Sequence, residues 1–290
     1  MGNLTYALSF GDSHCGLRFG LYDGKTPLHD EGPHGELVER IVTPTATQAF
    51  LWKLWGEGLQ AVADLTAGYP LVALHGGDLC HGDAHPSQLM TTRLSDQVMV
   101  AADVLRSLAT LSNLRAVRLV SGTEAHNSGE GSLENIVAEL VKDDLPDVKI
   151  AMHWRLGIDG AVFDVAHHGP GVGSRAWLSG SQLGWYIRNI AMSEAMAGAT
   201  PPDAVLRFHF HAYARATHHW NAQGHRGTTV GVVHPALCGI NYFGVKATKS
   251  TPTSDYGMLL WRIEDGRVEL DDRLVFSLDH RTREDVEVVL

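Results

Sequence analysis

The chain has 290 residues and a mass of 31.5 kDa, with 44% hydrophobic and 19% charged residues, which suits a folded protein and excludes a disordered chain. The formal net charge of −10 argues against broad binding of duplex nucleic acid, and no apolar run approaches the roughly 18 residues that indicate a membrane span. Three cysteines without a C-x-x-C pair cannot form a disulfide framework, which favours a reducing, cytoplasmic location.

The first half of the chain alternates predicted strands and helices. Short apolar runs, each followed closely by a glycine, predict strands at residues 6–10, 70–74 and 117–120. Helical spacing of apolar residues predicts helices that begin after the N-cap residues Thr43 and Ser95 and a third helix at 132–141. Residues 17–42 show no periodicity, and we expect an excursion that lies near a functional site.

The second half is richer in strands. Strands are predicted at residues 148–154, 161–166 and 204–213, and a helix is predicted at 176–197. Further strands are expected between 228 and 290, with a hairpin turn at Glu264-Asp265-Gly266. The pattern predicts one α/β domain over residues 1–290, with helices covering a mixed sheet system. Ligands of such sheets bind beyond the carboxyl ends of the strands.

Two of the polar motifs have a ligand-like spacing. Asp12-Ser13-His14 follows the first strand, and His209-Phe210-His211 falls within the strand predicted at 204–213. Because side chains alternate along an extended segment, we expect the first and third residues of each motif to share a face and to converge on one ion. Histidine and carboxylate groups are common ligands of transition metals.

Three further polar segments follow predicted strands. Gly77-Asp78 follows the strand at 70–74, and a segment from Gly122 to His126 follows the strand at 117–120. His167-His168 follows the strand at 161–166, and alternation predicts that only one of these two histidines faces the site. Considered alone, Gly77-Asp78 is better explained as a turn. The segment from Gly122 to His126 could be a polar turn that caps the next helix, and the histidine that does not face the site would be a core or hydrogen-bonded residue.

The five segments, taken in order, resemble the pattern of the calcineurin-like metallophosphoesterase superfamily, which reads D-x-H, G-D, G-N-H-(D/E), a single His, and G-H-x-H. The resemblance runs from about residue 5 to residue 215. It implies a four-layer αββα sandwich, with two mixed β-sheets flanked by helices, and a dinuclear metal centre. Phe208 stands where the superfamily has a glycine before its last motif.

By position, the resemblance assigns Asp12, His14, Asp78 and His211 to one metal. Asp78 would bridge to the second metal, for which the further ligands would be Glu124, His168 and His209.

The segment from Gly122 to His126 reads G-T-E-A-H and departs from the superfamily pattern. We interpret Glu124 as the replacement for the metal-binding asparagine and His126 as the catalytic histidine, a variant similar to phage-encoded members. A strict positional match would instead place Thr123 and Glu124 on the asparagine and the histidine, so the assignment of this segment remains open.

The function that the resemblance implies is hydrolysis of a phosphodiester or a phosphomonoester. Two divalent ions, of Mn, Fe or Zn, would generate a bridging hydroxide that attacks phosphorus in line, and His126 would protonate the leaving oxygen or stabilise the transition state. We expect a small phosphoester or nucleotide-like substrate, no membrane partner and no broad binding of duplex nucleic acid. The sequence does not fix the oligomeric state.

Three alternatives remain open. The altered segment could mark a lost second metal and a binding protein that retains the fold, or the chain could be a nuclease that acts on single-stranded nucleic acid. The run from His81 to His85 weakly resembles the ligand run of metallo-β-lactamase-like enzymes, but Leu79 stands where that run requires its first histidine. His81, Asp83 and His85 would otherwise line the rim near Asp78.

Overall fold

The structure, a computed structural model, describes residues 4–126, 133–172, 179–222, 224–240 and 253–281. These residues form a mixed α/β fold with four α-helices and fifteen β-strands. None of the helices in this part of the chain combines the length and the apolar character needed to cross a membrane.

The helices are α1 (Ala46–Leu65), α2 (Leu94–Arg106), α3 (Leu133–Val141) and α4 (Ser181–Met196). The strands are β1 (Leu4–Phe10), β2 (Leu28–Glu31), β3 (Leu37–Arg40), β4 (Leu71–His75), β5 (Leu114–Val120), β6 (Val148–Ala151), β7 (His153–Ile158), β8 (Ala161–Ala166), β9 (Ala204–Arg207), β10 (Ala214–Ala222), β11 (His225–Val233), β12 (Thr253–Gly257), β13 (Leu259–Glu264), β14 (Arg267–Asp271) and β15 (Val275–Asp279).

Two larger sheets dominate the fold. The first has the strand order β14-β13-β1-β4-β5-β6, in which β1, β4, β5 and β6 are parallel and β13 pairs antiparallel with β1. The second has the order β10-β11-β9-β8-β7, with parallel pairing of β9 to both β8 and β11. Both sheets are therefore mixed. Two-stranded sheets, β2–β3 and β12–β15, complete the described strands.

The hydrophobic core forms between these elements. Residues of the first sheet pack with α1, α2 and α3, where Phe10 lies 4.9 Å from Trp55 between ring centroids. Residues of the two larger sheets share a second cluster, in which Phe163 and Trp261 meet edge to face. Leu183 of α4 packs against the second sheet. The sheets therefore bury apolar side chains on more than one face, as their continuous apolar runs require.

The first helix begins two residues later than predicted. Thr45, not Thr43, is the N-cap: its hydroxyl accepts from the Gln48 backbone N–H, and the Gln48 side chain accepts from the Thr45 N–H. This reciprocal capping box satisfies two backbone donors, so it places the start of the helix more firmly than a proline at Pro44 does. The second helix begins at Leu94, with Arg93 rather than Ser95 as N-cap.

Several predicted boundaries also need correction. The strand predicted at 204–213 ends at Arg207, and the following residues leave the sheet in a turn. The strand predicted at 148–154 is divided between β6 and β7, and β10 was not predicted. The helix predicted from 176 begins at Ser181, and residues 173–178 lie outside the described residues. The 17–42 excursion contains the β2–β3 hairpin.

Phe208 supports the loops that follow β1 and β4 from below. Its side chain is fully buried, and its ring lies against Gly11 and Gly76. A Cβ atom on Gly76 would overlap three ring carbons of Phe208, and one on Gly11 would lie 2.7 Å from Cδ1 of that ring. The His234 ring stacks on Phe208 with 4.8 Å between centroids. These glycines therefore permit a close approach of the two larger sheets.

Replacement of Gly76 by alanine tests this packing. Because the Phe208 ring is fully buried and cannot move without displacing its neighbours, we expect Gly76→Ala to lower the free energy of unfolding by about 1–3 kcal/mol. The measurement is urea denaturation followed by circular dichroism. Gly157→Ala is the matched control, because a Cβ atom there meets no atom within 4 Å. Equal stability of the two variants would contradict the packing argument.

Candidate metal centre

The polar segments predicted from the sequence meet at the carboxyl ends of five strands. Asp12 and His14 follow β1, Asp78 follows β4, Thr123 follows β5, His167 follows β8, and His209 and His211 follow β9. The backbone N–H of His209 donates to Asp12 Oδ2 at 3.2 Å, although 197 residues separate them in the chain. The two larger sheets therefore bring these segments to one place.

Backbone hydrogen bonds fix the two loops of the first sheet side by side. The N–H of Asp12 donates to the carbonyl of Gly77 at 3.0 Å, and the N–H of His14 donates to the carbonyl of Asp78 at 2.9 Å. The loops after β1 and β4 thus continue the pairing of their strands beyond the sheet. The backbone of these two loops is therefore fixed, and so are the positions from which their polar side chains extend.

The backbone at the site is left-handed where extended strands were predicted. The φ angles of Asp12, His14, Asp78, His209 and His211 are 50°, 42°, 52°, 74° and 49°. The expected alternation of side chains in Asp12-x-His14 and His209-x-His211 was therefore wrong, and convergence comes from tight turns. Such angles cost about 1–3 kcal/mol each in a residue other than glycine. This local cost is typical of functional sites, where the surrounding structure fixes the conformation.

Asp78 occupies the centre of the site. Its carboxylate is 1% exposed, and Oδ2 lies 3.1 Å from His167 Nε2, 4.0 Å from His14 Nε2 and 3.9 Å from His126 Nε2. Burial raises the pKa of this carboxyl group. The contact with His167 and the nearby imidazoles lower it by more, so the pKa lies well below its usual range. Asp78 is therefore ionised and faces nitrogen atoms from several strands.

Asp12, His14 and His211 form one half of the site around Asp78. His14 Nε2 lies 3.2 Å from His211 Nε2, which lies 3.4 Å from Asp12 Oδ1. Two ligands bound to one ion at about 2.1 Å are separated by roughly 3.0–3.4 Å, depending on the geometry. Asp12 Oδ1 is fully buried and accepts no hydrogen bond from the described residues. A buried acceptor without a hydrogen bond is suited to contact with a cation.

Thr123, His167 and His209 form the other half. Thr123 Oγ1 lies 3.1 Å from Asp78 Oδ2, 3.2 Å from His167 Nε2 and 3.3 Å from His209 Nδ1. The backbone N–H of Thr123 also donates to Asp78 Oδ1 at 2.6 Å. His167 Nδ1 donates to the Gly76 carbonyl at 2.8 Å, so Nε2 is the atom that faces the site.

The charges of the carboxylates and imidazoles around Asp78 favour a cation. Burial lowers the pKa of His167, but the contact with Asp78 and the negative charges of Asp12 and Asp78 raise it to about 9. Burial lowers the pKa of His14 and of His209, so both are neutral near pH 7. A neutral imidazole has a lone pair available for a metal. The two carboxylates therefore stabilise positive charge beside His167, where His14 and His209 offer neutral nitrogen atoms.

His126 faces Asp78 with a fixed ring. Its Nδ1 donates to the carbonyl of His81 at 2.6 Å, which leaves Nε2 directed toward Asp78 Oδ2. His81 was not among the predicted ligands, yet its buried ring places Nδ1 3.1 Å from His14 Nδ1. Only His81 of the run from His81 to His85 joins the site, because Asp83 and His85 are exposed. This arrangement does not assemble the ligand run of the metallo-β-lactamase-like alternative.

Glu124 and His168, two of the predicted ligands, have exposed side chains. The Glu124 side chain is exposed, and it joins none of the groups of possible ligand atoms among the described residues. His168 is exposed as well, although its ring groups with His167 and His209. The residues that contact Asp78 are Thr123 and His167. The strict positional match pointed to Thr123, whereas strand alternation alone could not choose between the two adjacent histidines.

Comparison with known proteins finds similar solved structures but no family for the sequence. The sequence matches no profile of a known protein family and no curated protein. One similar solved structure is described as a novel archaeal phosphodiesterase. It has 10% sequence identity and a TM-score of 0.44, and the alignment covers 94% of this chain and 100% of that chain. A likeness at this level does not assign the chain to a family.

The donor set fits divalent transition metals. Carboxylate oxygens and neutral imidazole nitrogens together suit Mn²⁺, Fe²⁺ and Zn²⁺ better than Mg²⁺ or Ca²⁺, which prefer oxygen alone. The buried, unpartnered Oδ1 of Asp12 and the ligand-like separations around Asp78 support the same conclusion. The residues present therefore fit a metal site around Asp78.

Metal addition should stabilise the folded chain. A ligand at about 100 times its Kd adds roughly 2.7 kcal/mol to the free energy of unfolding, so we expect Mn²⁺ or Zn²⁺ to raise the melting temperature by several degrees. Asp78→Asn should lose most of this rise, because the central negative charge is gone. Asp83→Asn is the control, since Asp83 is exposed on the same loop. Equal metal responses of the two variants, read by differential scanning calorimetry, would argue against a metal centre.

Proposed function

We propose that the chain is a metal-dependent phosphoesterase of the calcineurin-like superfamily, which hydrolyses a phosphodiester or a phosphomonoester. The observation that carries the proposal is the central carboxylate of Asp78, which is approached by nitrogen ligands from both larger sheets. The order of the five motifs along the chain supports it independently. The corresponding fold would be a four-layer αββα sandwich, to which the core clusters between sheets and helices are suited.

The assignment of ligands follows the contacts around Asp78. The first cation would be held by Asp12, His14, Asp78 and His211, as the sequence predicted. The second would be held by Asp78, Thr123, His167 and His209. In this assignment the neutral hydroxyl oxygen of Thr123 replaces the neutral amide oxygen of the superfamily's asparagine. Glu124 would not be a ligand, because its side chain is exposed and joins no group of possible ligand atoms among the described residues. His168 would be an exposed neighbour of the second cation, beside His167 and His209.

The protein's own groups would position the reaction around these cations. When bound, two divalent ions supply charge neutralisation at the phosphate oxygens and lower the pKa of the attacking water. His126 Nε2 would carry the proton that the leaving oxygen receives, and the His81 carbonyl holds the opposite side of this ring. Burial of Asp12 and Asp78 keeps bulk water from the carboxylates that hold the cations.

The substrate would be a small phosphoester or a nucleotide-like molecule. The acidic net charge of −10 disfavours a long polyanion such as duplex DNA. The carboxylates of Asp12 and Asp78 are buried, and imidazole rings lie beside them. A phosphate group would therefore meet the imidazoles, which are neutral or positively charged and do not repel it. The site is therefore suited to binding a single phosphate group and not a long chain of phosphates.

Thr123 and Glu124 can be separated by substitution. We expect Thr123→Val to lower the affinity for the second of two bound cations by roughly 10- to 100-fold, because the isosteric side chain lacks the oxygen that meets Asp78, His167 and His209. Glu124→Gln should leave both affinities unchanged, and Thr123→Ser should retain them. Isothermal titration with Mn²⁺ measures each step. Loss of the second cation in Glu124→Gln alone would reverse the assignment.

His126→Ala should separate catalysis from metal binding. We expect kcat for an aryl phosphodiester to fall by about 10²- to 10⁴-fold, because the proton donor is removed. The metal content should not change, since His126 is not among the proposed ligands. His85→Ala serves as the control on a nearby exposed histidine. Unchanged turnover in His126→Ala would refute its role.

The same assays test the proposed function as a whole. The wild-type chain is loaded with Mn²⁺ and given aryl phosphodiesters, aryl phosphomonoesters and single-stranded oligonucleotides. Turnover of a small ester supports the proposal. A chain that binds one cation or none and hydrolyses none of these would be a binding protein with this fold, and preference for the oligonucleotide would indicate a nuclease.

A further inference from the structure

Cys238 is a buried thiol that the proposed ligand set does not use. It is 3% exposed and lies in the loop after β11. Its Sγ groups with the ring nitrogens of His14 and His211, and the three atoms lie within 4.8 Å of one another. The two histidines are proposed ligands of the first cation, and they come from loops of different sheets. The thiol therefore faces the first cation position from a third direction.

The backbone fixes Cys238 against the loop that carries Asp12 and His14. The N–H of Leu237 donates to the Gly11 carbonyl at 3.2 Å, and the N–H of Gly239 donates to the Phe19 carbonyl at 2.7 Å. These bonds flank Cys238 on both sides. Leu17 and Leu89 pack around it. The position of the sulfur is thus set by the same segment after β1 that carries His14.

The hydrogen bond that the Cys238 thiol makes within the described part of the chain is weak. Among the described residues, the thiol hydrogen bonds to the carbonyl of Gly239 at 3.4 Å. Asp12, whose Oδ1 is fully buried and accepts no hydrogen bond, contacts His211 in the same half of the site. The Cys238 thiol groups with the imidazoles of His14 and His211. Asp12 Oδ1, which accepts no hydrogen bond from the described residues, lies 3.4 Å from His211 Nε2. Together these residues offer oxygen, nitrogen and sulfur donors. Such a set is typical of zinc rather than of manganese or magnesium.

We propose that Cys238 is a metal ligand that gives the first cation position a preference for soft ions such as Zn²⁺ over Mn²⁺. This inference rests on the proposed metal centre. On binding, the S–H bond breaks, the proton passes to solvent, and the sulfur lone pair forms the bond to the metal. Sulfur donors strengthen binding of Zn²⁺ and Cd²⁺ far more than that of Mn²⁺ or Mg²⁺.

The other two cysteines provide matched controls. Cys15 and Cys80 are also fully buried, and they lie on the paired loops after β1 and β4. Neither belongs to a group of possible ligand atoms among the residues that the structure describes. Serine substitution at each of the three positions therefore removes one buried thiol, but only the change at Cys238 removes a proposed ligand.

The test is spectroscopic and does not depend on hydrolysis. We load the full chain with Co²⁺ and record the near-ultraviolet band that arises from charge transfer from sulfur to cobalt. The wild type, Cys15→Ser and Cys80→Ser should show this band, and Cys238→Ser should lose it. Cys238→Ser should also lower the Zn²⁺ affinity by at least roughly tenfold. The Mn²⁺ affinity should change by less than about threefold, since Mn²⁺ gains little from sulfur.

A second measurement needs no variant. X-ray absorption of the Zn²⁺-loaded wild type should show sulfur at about 2.3 Å from the metal. Bound Zn²⁺ with only oxygen and nitrogen neighbours would overturn the inference, as would a cobalt band that persists in Cys238→Ser. Sulfur ligation without hydrolysis of any phosphoester would contradict the proposed function and leave the Cys238 assignment intact. Hydrolysis by a metal centre without a sulfur ligand would support the proposed function and contradict the Cys238 assignment. A chain that binds no cation would contradict both proposals.

Discussion

The site depends on one buried carboxylate. Asp78 is 1% exposed, and the imidazoles of His14 and His167 approach it from the two larger sheets. An isolated buried anion would be strongly unfavourable, so the surrounding nitrogen donors and the N–H of Thr123 are needed to keep it ionised. The second sheet supplies His167, whose Nε2 lies 3.1 Å from the carboxylate, so Asp78 links the two larger sheets at the site.

The loops around this carboxylate hold conformations that the free chain disfavours. Left-handed backbone at Asp12, His14 and Asp78 is retained because backbone bonds between the loops after β1 and β4 fix it. Phe208 closes the site from beneath, against glycines that leave room for its ring. The polar groups are thus positioned before any ligand arrives, which is the arrangement expected of a catalytic or metal-binding site.

The sequence predicted the alternation of strands and helices and the strand ends at which the polar residues meet, because these depend on local apolar patterns and on a general property of α/β sheets. It did not predict that His209 and His211 lie in a turn, since an H-x-H motif between apolar residues has the same period as a strand. The approach of His167 to Asp78 depends on the hydrogen bond of its ring to Gly76, which lies 91 residues earlier, and strand alternation does not show this contact. The sequence placed His81 near Asp78 but did not predict its contact with His14, and it did not predict the position of Cys238, because long-range backbone pairing places each beside His14.

The pairing of β1 has a consequence for how the protein is made. One neighbour of β1 is β4, but the other is β13, where Leu4 pairs with Glu264. While the ribosome is still synthesising the middle of the chain, this edge of the nascent sheet has no permanent partner and is open to pairing with other chains. A fold with such distant strand partners forms slowly, so chaperone protection would matter most during the interval before β13 emerges.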